Sequence, residues 1–293
     1  MQHRFVGDIG DYFKISILKG LAPGARLGVA WWLHPEQTHN NDGQHVDYLD
    51  NASRWRHLNP TLFDQLRNVV TTGTRHISSL EAALTGLDVR FAGEAIPIDC
   101  APRQRPAARE VWFGQVLRAM EGTELAFVDP DNGLEPSSYR ETLASSAKSI
   151  RISEVKRLAR DGRSVLVYHH QTRRKGGHSE EIRHWASTLR GEGFKTVDAL
   201  RAPAYSPRVF FLINATELFR RRAEELHRPP LGSSPHLAPG SCLNVTSQAL
   251  ARPRPVLTRT EAMGPQPPRR PGRGALGGRR EAQARGRRAQ RAS

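Results

Sequence analysis

Apolar runs and apolar residues at helical spacing alternate along most of the chain. The runs predict strands at 27–33, 88–93, 124–129, 164–170, 196–200 and 208–213. The helical spacing predicts helices at 9–21, 61–70, 78–84, 108–120, 153–160, 179–190 and 216–227. The expected buried stripe of the helix at 108–120 consists of Val111, Trp112, Val116 and Leu117. This alternation is typical of an α/β fold with a largely parallel sheet.

Two of these segments describe the sheet more closely. The run Leu125–Val128 is continuous rather than alternating, which is the pattern of a strand buried on both faces. The last two strands are separated only by "RAPAYSP", which predicts a terminal antiparallel pair, a familiar ending of methyltransferase-like Rossmann folds. We therefore expect a Rossmann-like (methyltransferase-like), mostly parallel sheet with helices on both faces.

The periodicity ends near Pro229, and Pro, Gly and Arg dominate from there onward. We predict one α/β domain, residues 1–228, followed by a disordered tail, residues 229–293, because such a composition buries too little apolar surface to offset the entropy of ordering. Residues 252–293 contain 12 Arg, no Lys and 2 Glu, and so supply +10 of the net charge of +15. This segment suits contacts with nucleic-acid phosphates, and a solvated tail without that role is the alternative.

Composition excludes several classes of protein. The 2 cysteines lie far apart and outside any CxxC or Cys/His spacing, so neither a disulfide framework nor a structural zinc site is indicated. No stretch approaches the roughly 20 apolar residues of a membrane span. We expect a cytoplasmic protein that does not enter a membrane, and the sequence leaves its oligomeric state open.

The first candidate for chemistry is "GDIGDYFK", in which Asp8, Asp11 and Lys14 recur every third residue around the start of a helix. Acidic residues there suit the positive end of the helix dipole, so Asp8 or Asp11 is explained equally well as a cap. Two glycines, two aspartates and a lysine in one short segment exceed what capping requires. A role in cofactor binding for Asp11 and Lys14 is the functional interpretation.

The second candidate is the polar loop after the strand at 27–33. It contains His34, His39, Asn40, Asn41, Asp42, Gly43 and His45. If this strand is the first of a Rossmann-like sheet, the loop faces the cofactor, and His34, Asp42 and Gly43 are candidate cofactor ligands. The expected glycine-rich fingerprint GxGxxG is missing, and an ordinary Asn-Asp-Gly turn is the alternative.

The third candidate is a pair of strand ends, "DPDNG" and "YHHQ". Neighbouring parallel strands end at the same edge of a sheet, so Asp129, Asp131, His169 and His170 are expected to converge there, with Asn132. Two carboxylates and two imidazoles are suited to binding a divalent metal or to acid-base work. Solvated strand ends without chemistry are the alternative interpretation.

Several of these segments resemble known proteins. "FVGDIGDYFK", "RLGVAWWL", "NNDGQHVDYL", "LAFVDPDNGLE" and "SVLVYHHQ" are together similar to a bacterial family of uncharacterised proteins, over residues 4–225. More distantly, "GDIGDYFK" resembles the GNxxDxxK motif of ribosomal RNA adenine-N6 methyltransferases. Gly7, Asp11 and Lys14 match that motif, and Asp8 stands in place of its Asn.

"FVDPDNG" resembles the DPPY motif of amino-group methyltransferases. The resemblance implies that Asp129 and the carbonyl of Pro130 orient an exocyclic amine toward the methyl group of S-adenosylmethionine, while Lys14 holds the cofactor or closes the site. Asp131 replaces the second proline, and Asn132 replaces the tyrosine that stacks on a base taken out of its helix.

Three hypotheses follow. The leading one is an S-adenosylmethionine-dependent methyltransferase acting on an amino group, with nucleic acid as a candidate substrate and with Asp129, Pro130, Asp131 and Asn132 at the catalytic turn. The second is a metal-dependent hydrolase or nuclease that uses Asp129, Asp131, His169 and His170. The third is a non-catalytic binding module of the same fold.

Overall fold

A computed structural model describes residues 1–36, 45–172, 174–202, 204–227 and 244–246. Its strands are β1 Leu27–Ala30, β2 Val89–Ala92, β3 Leu125–Val128, β4 Gly133–Leu134, β5 Ser149–Ile150, β6 Ser164–His170, β7 Val197–Ala202, β8 Arg208–Ile213 and β9 Asn244–Thr246. Its helices are α1 Ile9–Leu21, α2 Ala52–Trp55, α3 Pro60–Thr71, α4 Ile77–Ala83, α5 Arg105–Ala119, α6 Ile152–Leu158, α7 Gly177–Gly191 and α8 Glu217–His227. The predicted α/β class is confirmed.

The main sheet has the strand order β2-β1-β3-β6-β8-β7, with β9 beside β7. The pairs β1·β2, β1·β3 and β3·β6 are parallel, whereas β8 runs antiparallel to both β6 and β7. β2, the next strand in sequence, pairs with one edge of β1, and β3 pairs with the other edge. The gap between the carboxyl ends of β1 and β3 is therefore the point at which open α/β sheets bind ligands.

Helices cover both faces of the sheet because each strand sends alternate side chains to opposite faces. Leu125 and Phe127 pack in the apolar cluster formed with α1, α3, α4 and α8. Ala126 and Val128 pack in a second cluster, formed with α5, α6 and α7. All four side chains are fully buried, as the continuous apolar run of β3 predicts.

The predicted stripe of α5 is partly wrong. Val111 is 67% exposed, whereas Phe113 is fully buried beside Trp112 and Val116. Successive residues of a helix are about 100° apart around its axis. If the centre of the buried stripe moves by one residue, Phe113 is buried in place of Val111. Only packing against the sheet determines which of the two neighbouring stripes is buried.

The other predicted elements differ from the structure only at their ends, whereas α2, β4, β5 and β9 are not among the predicted elements. The predicted strand at 27–33 ends at Ala30, and the backbone turns at Trp32, which has a φ of 53°. The predicted tail, residues 229–293, lies outside the described residues apart from β9. Within the described residues, no helix combines the length and apolar character needed to cross a membrane.

The orientation of α5 is testable with a matched pair of substitutions. Val116→Ala should lower the free energy of unfolding by about 2 kcal/mol, since it removes two methyl groups from a packed interior. Val111→Ala should change it by less than about 0.5 kcal/mol because Val111 is solvated. Urea unfolding of the two variants measures both values, and equal losses would contradict this orientation.

Candidate active site

A cavity of about 630 Å³ opens at the carboxyl ends of β3 and β6 and at the amino end of β8. The ionisable side chains that line it are Asp8, Asp11, Lys14, His45, Asp129, Asp131, Lys148, Tyr168, His170 and Arg208. The cavity thus lies at the carboxyl edge of the sheet, beside the strand order reversal between β1 and β3, the region in which the fold predicts a ligand. Carboxylates and cations are both present, so the lining does not favour a ligand of one charge alone.

The start of α1 is built by the "GDIGD" segment. The left-handed backbone of Gly7, with a φ of 92°, lets its amide donate to Oδ2 of Asp11 at 3.0 Å. Asp8 is the N-cap and accepts from the amide of Gly10 at 2.7 Å. Capping therefore accounts for Asp8, whereas Asp11 has a second carboxylate oxygen that faces Lys14.

Lys14 joins two parts of the chain. Its Nζ lies 2.7 Å from Oδ2 of Asp129 and 3.1 Å from Oδ1 of Asp11. The same ammonium lies 4.9 Å from the centre of the Tyr168 ring. Lys14, Asp11 and Asp129 are each buried. The structure therefore brings together the two sequence motifs, at the gap between β1 and β3.

The charges of this cluster control its protonation. Burial by itself lowers the pKa of Lys14, but the carboxylates of Asp129 and Asp11 override this effect and raise the pKa, so the ammonium stays charged. Burial raises the pKa of Asp11 to about 6, in spite of Lys14 and with further help from the charge of Asp129. One cation thus serves two buried carboxylates, and Asp11 takes up a proton at a higher pH than an exposed aspartate does.

Asp131 binds the amino group of Met1. The Met1 nitrogen lies 2.5 Å from Oδ1 of Asp131 and donates to the carbonyls of Trp32 and Asp129 at 3.0 and 3.2 Å. Gln2 donates to the other oxygen of Asp131 at 2.9 Å. Burial opposes ionisation of Asp131, but the Met1 ammonium, with its hydrogen bond, Gln2 and Lys148, lowers its pKa to about 2. The side chain of Asp131 therefore anchors the first residues of the chain.

The rest of the "DPDNG" turn is held by its own backbone. The carbonyl of Pro130 accepts from the amide of Gly133 at 3.2 Å, and the amide of Asn132 donates to the carbonyl of Lys148 at 2.9 Å. Gly133 and Leu134 form β4, which pairs with β5. Asn132 lines the cavity. The predicted roles of Pro130 and Asn132 toward a substrate remain predictions.

The four residues proposed as metal ligands do not converge. His169 and His170 follow each other on β6 and therefore face opposite sides of the sheet. Nδ1 of His169 accepts from the amide of Leu134 at 3.1 Å, so Nε2 carries the hydrogen and donates to Glu181 at 3.1 Å. Burial lowers the pKa of His169, despite Glu181, which keeps this imidazole neutral.

His170, unlike His169, lines the cavity. Its Nδ1 lies 3.2 Å from the hydroxyl of Tyr168, and its Nε2 lies 3.3 Å from Oγ of Ser206. With His169 turned away and Asp131 bound to the amino group of Met1, the predicted set of Asp129, Asp131, His169 and His170 is not assembled. Within the described ranges, no group of three or more His, Cys, Asp or Glu side chains has an arrangement suited to a metal ion.

Of the three residues predicted to bind a cofactor in the loop after β1, only His34 is among the described residues. His34 is buried, donates its amide to the carbonyl of Met1 at 2.9 Å, and does not line the cavity. Asp42 and Gly43 lie outside the described residues. Bulky Trp31 and Trp32, both buried, occupy the position just past β1 where a glycine-rich fingerprint brings its backbone close to a cofactor.

Sequence reasoning missed Arg208 and Lys148. Arg208 is the first residue of β8, which runs antiparallel to β6. The amino end of β8 therefore lies beside the carboxyl end of β6, and Arg208 pairs with His170. Its side chain is 3% exposed and donates to the carbonyl of Ala204 at 3.3 Å. No local pattern marks a residue at the start of an antiparallel strand as part of this edge, because its position depends on strand order.

The protonation of Asp11 gives a prediction for stability against pH. A pKa raised from 3.8 to about 6 means that the folded state binds this proton more tightly than the unfolded state. The resulting stabilisation is complete below about pH 4 and is lost as the pH rises through about 6. Asp11→Asn should remove up to roughly 3 kcal/mol of this pH-dependent change. Urea unfolding between pH 4.5 and 7.5 measures it.

The control for this experiment is Asp50→Asn, which changes an exposed carboxylate. Its stability curve should run parallel to that of the unmodified protein at every pH. If the stability curve of Asp11→Asn also runs parallel to that of the unmodified protein, Asp11 is not the group that binds the proton.

Gly133 gives a second prediction. An added Cβ would lie 2.3 Å from Nδ1 of His169 and 2.6 Å from its Cα, and the φ of Gly133 is 90°. Gly133→Ala should therefore lower stability by roughly 2 to 5 kcal/mol through strain and overpacking. Gly24 also has a positive φ, of 69°, but open space around it, so Gly24→Ala should lose only about 1 kcal/mol. Equal losses in thermal unfolding would contradict the contact with His169.

Comparison with known proteins assigns no function to this site. No protein-family model matches the chain, and no curated protein matches it at a significant level. The function must therefore be inferred from the geometry of the cavity and from the likeness of its motifs.

Proposed function

We propose that the chain is a methyltransferase that uses S-adenosylmethionine to methylate an amino group, with nucleic acid as the substrate. The observation that carries this proposal is the buried cluster of Lys14, Asp11 and Asp129 at the sheet's switch point. These are the residues that match the two methyltransferase-like motifs. Although 115 positions separate Lys14 from Asp129 in sequence, the two side chains are in direct contact.

The topology supports the same class. β8 lies antiparallel between β6 and β7, which are themselves mutually parallel. The terminal antiparallel pair is the feature that the sequence shares with methyltransferase-like Rossmann folds. Asp129 follows β3, a buried strand beside the switch point, as the acidic residue of a DPPY-like turn is expected to do.

The cavity fits the cofactor in size and charge. Its volume of about 630 Å³ lies within the range of about 300 to 1,000 Å³ typical of small-molecule sites. Arg208 and Lys148 provide cations for the cofactor's carboxylate, and Asp8 and Asp11 provide acceptors for its ammonium and hydroxyl groups. The bulky residues after β1 require that the cofactor be held without a glycine-rich loop.

When bound, S-adenosylmethionine supplies an electrophilic methyl group on a sulfonium. Asp129 is suited to accept a hydrogen bond from the substrate amine, which directs the nitrogen lone pair. Lys14 occupies one oxygen of Asp129 at 2.7 Å, and an ionised carboxylate has about four lone-pair sites, so a second donor is compatible with this contact.

Cofactor binding tests the proposal directly. Isothermal titration of the full chain with S-adenosylmethionine should show saturable binding, and the product S-adenosylhomocysteine should compete for the same site. No binding by protein that circular dichroism shows to be folded would overturn the methyltransferase proposal. In that case a non-catalytic module of the same fold would account for the chain.

Asp129→Asn tests the role in catalysis. This variant should bind S-adenosylmethionine, but transfer of radiolabelled methyl groups to total RNA or DNA should fall by about 100-fold or more, because its one remaining oxygen pairs with Lys14 and its NH2 group, which cannot accept a hydrogen bond, faces the substrate amine. Asp50→Asn is the control, since it neutralises a carboxylate on an exposed surface. Undiminished transfer by Asp129→Asn would exclude this residue as the group that orients the amine.

A further inference from the structure

Tyr205 is a strained and exposed aromatic residue beside the cavity. Its φ of 62° lies in the left-handed region, which is rare for a bulky side chain. The ring is 44% exposed, although Trp55, which it contacts, is 1% exposed. Unusual backbone of this kind persists only where its surroundings hold it, and it is concentrated at ligand sites.

The surroundings of Tyr205 connect it with the cavity on two sides. Its ring lies 6.0 Å from the ring of His45, and its neighbour in sequence is Ser206; both of these residues line the cavity. Ser206 contacts His170 at 3.3 Å. The loop that carries Tyr205 is thus attached to the cavity wall, while the ring itself stays open to solvent.

The other tyrosines are less suited to contact a planar ligand. Tyr12, Tyr48 and Tyr168 are buried, and the ring of Tyr168 is covered by the ammonium of Lys14. Tyr139 is partly buried, whereas Tyr205 is exposed. In the "DPDNG" turn, Asn132 offers an amide and no ring. Tyr205 is therefore the exposed tyrosine at this site.

Cations accompany this aromatic surface. The guanidinium of Arg54 lies 5.3 Å from the Trp55 ring, directly beside Tyr205. Arg174 and Lys175 are exposed in the turn that follows β6, at the same edge of the sheet. Exposed rings combined with cations that contact phosphates are the features by which proteins bind single-stranded nucleic acid.

We propose that Tyr205 stacks on an unpaired base of single-stranded nucleic acid at the mouth of the cavity. The delivery of that base to Asp129 rests on the proposed function, but the stacking is independent of methyl transfer. Tyr205 acts as a positioning and specificity residue: it selects a planar ring, and it takes no part in the transfer itself.

The test measures binding of two fluorescein-labelled probes of equal length, a single-stranded oligodeoxyadenylate and its abasic counterpart, by fluorescence anisotropy. The full chain should bind the adenine probe more tightly, since only that probe stacks. Any attraction between the positive charge of residues 252–293 and the probe would be the same for both probes, because their phosphate backbones are identical, so it cancels in the comparison. Tyr205→Gly should weaken binding of the adenine probe by about 5- to 100-fold and leave the abasic probe unaffected.

Glycine is chosen because it adopts a φ of 62° without strain, so Tyr205→Gly should keep the fold. Tyr205→Phe, which keeps the ring, should bind the adenine probe within about two-fold of the unmodified protein. Phe91→Ala is the matched control: it removes a ring that is 37% exposed on the edge strand β2, and it should not change binding.

Three results would overturn the proposal: equal binding of both probes by the unmodified chain, undiminished binding by Tyr205→Gly, or an equal loss for both probes in that variant. Titration with S-adenosylmethionine is a separate measurement. Cofactor binding without a base-dependent contribution from Tyr205 would leave the methyltransferase proposal intact and reject this one. A base-dependent contribution from Tyr205 without binding of S-adenosylmethionine would keep Tyr205 as a base-binding residue and reject the methyltransferase proposal.

Discussion

The buried ion pair between Lys14 and Asp129 is the interaction on which the architecture of the site depends. A lysine ammonium is expensive to bury, and it is retained only where carboxylates compensate for lost hydration. The pair connects α1, near the beginning of the chain, with the end of the third strand of the sheet. Because Asp11 binds the same ammonium, the first turn of α1 is fixed beside the carboxyl end of β3.

Around this pair the structure separates groups that are adjacent in sequence. His169 holds the amide of Leu134 and the carboxylate of Glu181 on one face of β6, and His170 lines the cavity on the other. The "DPDNG" turn divides in a similar way. Asp129 binds Lys14, whereas Asp131 binds the amino group of Met1. Neighbouring polar residues thus serve the scaffold and the cavity separately.

The proposed amine chemistry uses the groups that this separation leaves at the cavity. The acidic pair in the turn is divided between two cations, and His169 binds the amide of Leu134 and the carboxylate of Glu181 instead of lining the cavity. What remains at the cavity is a carboxylate positioned by a lysine, with a strained aromatic residue nearby. That combination suits the orientation of a planar amine.

The sequence by itself determined the α/β class, most elements, and the nearness of Asp129 to the end of a buried strand. These features follow from local periodicity and from backbone preferences, which a short segment expresses without its neighbours. The sequence did not determine which face of α5 is buried, the opposite roles of His169 and His170, or the position of Arg208 at the cavity. Only the tertiary structure decided these, because strand order, face and burial depend on partners far away along the chain.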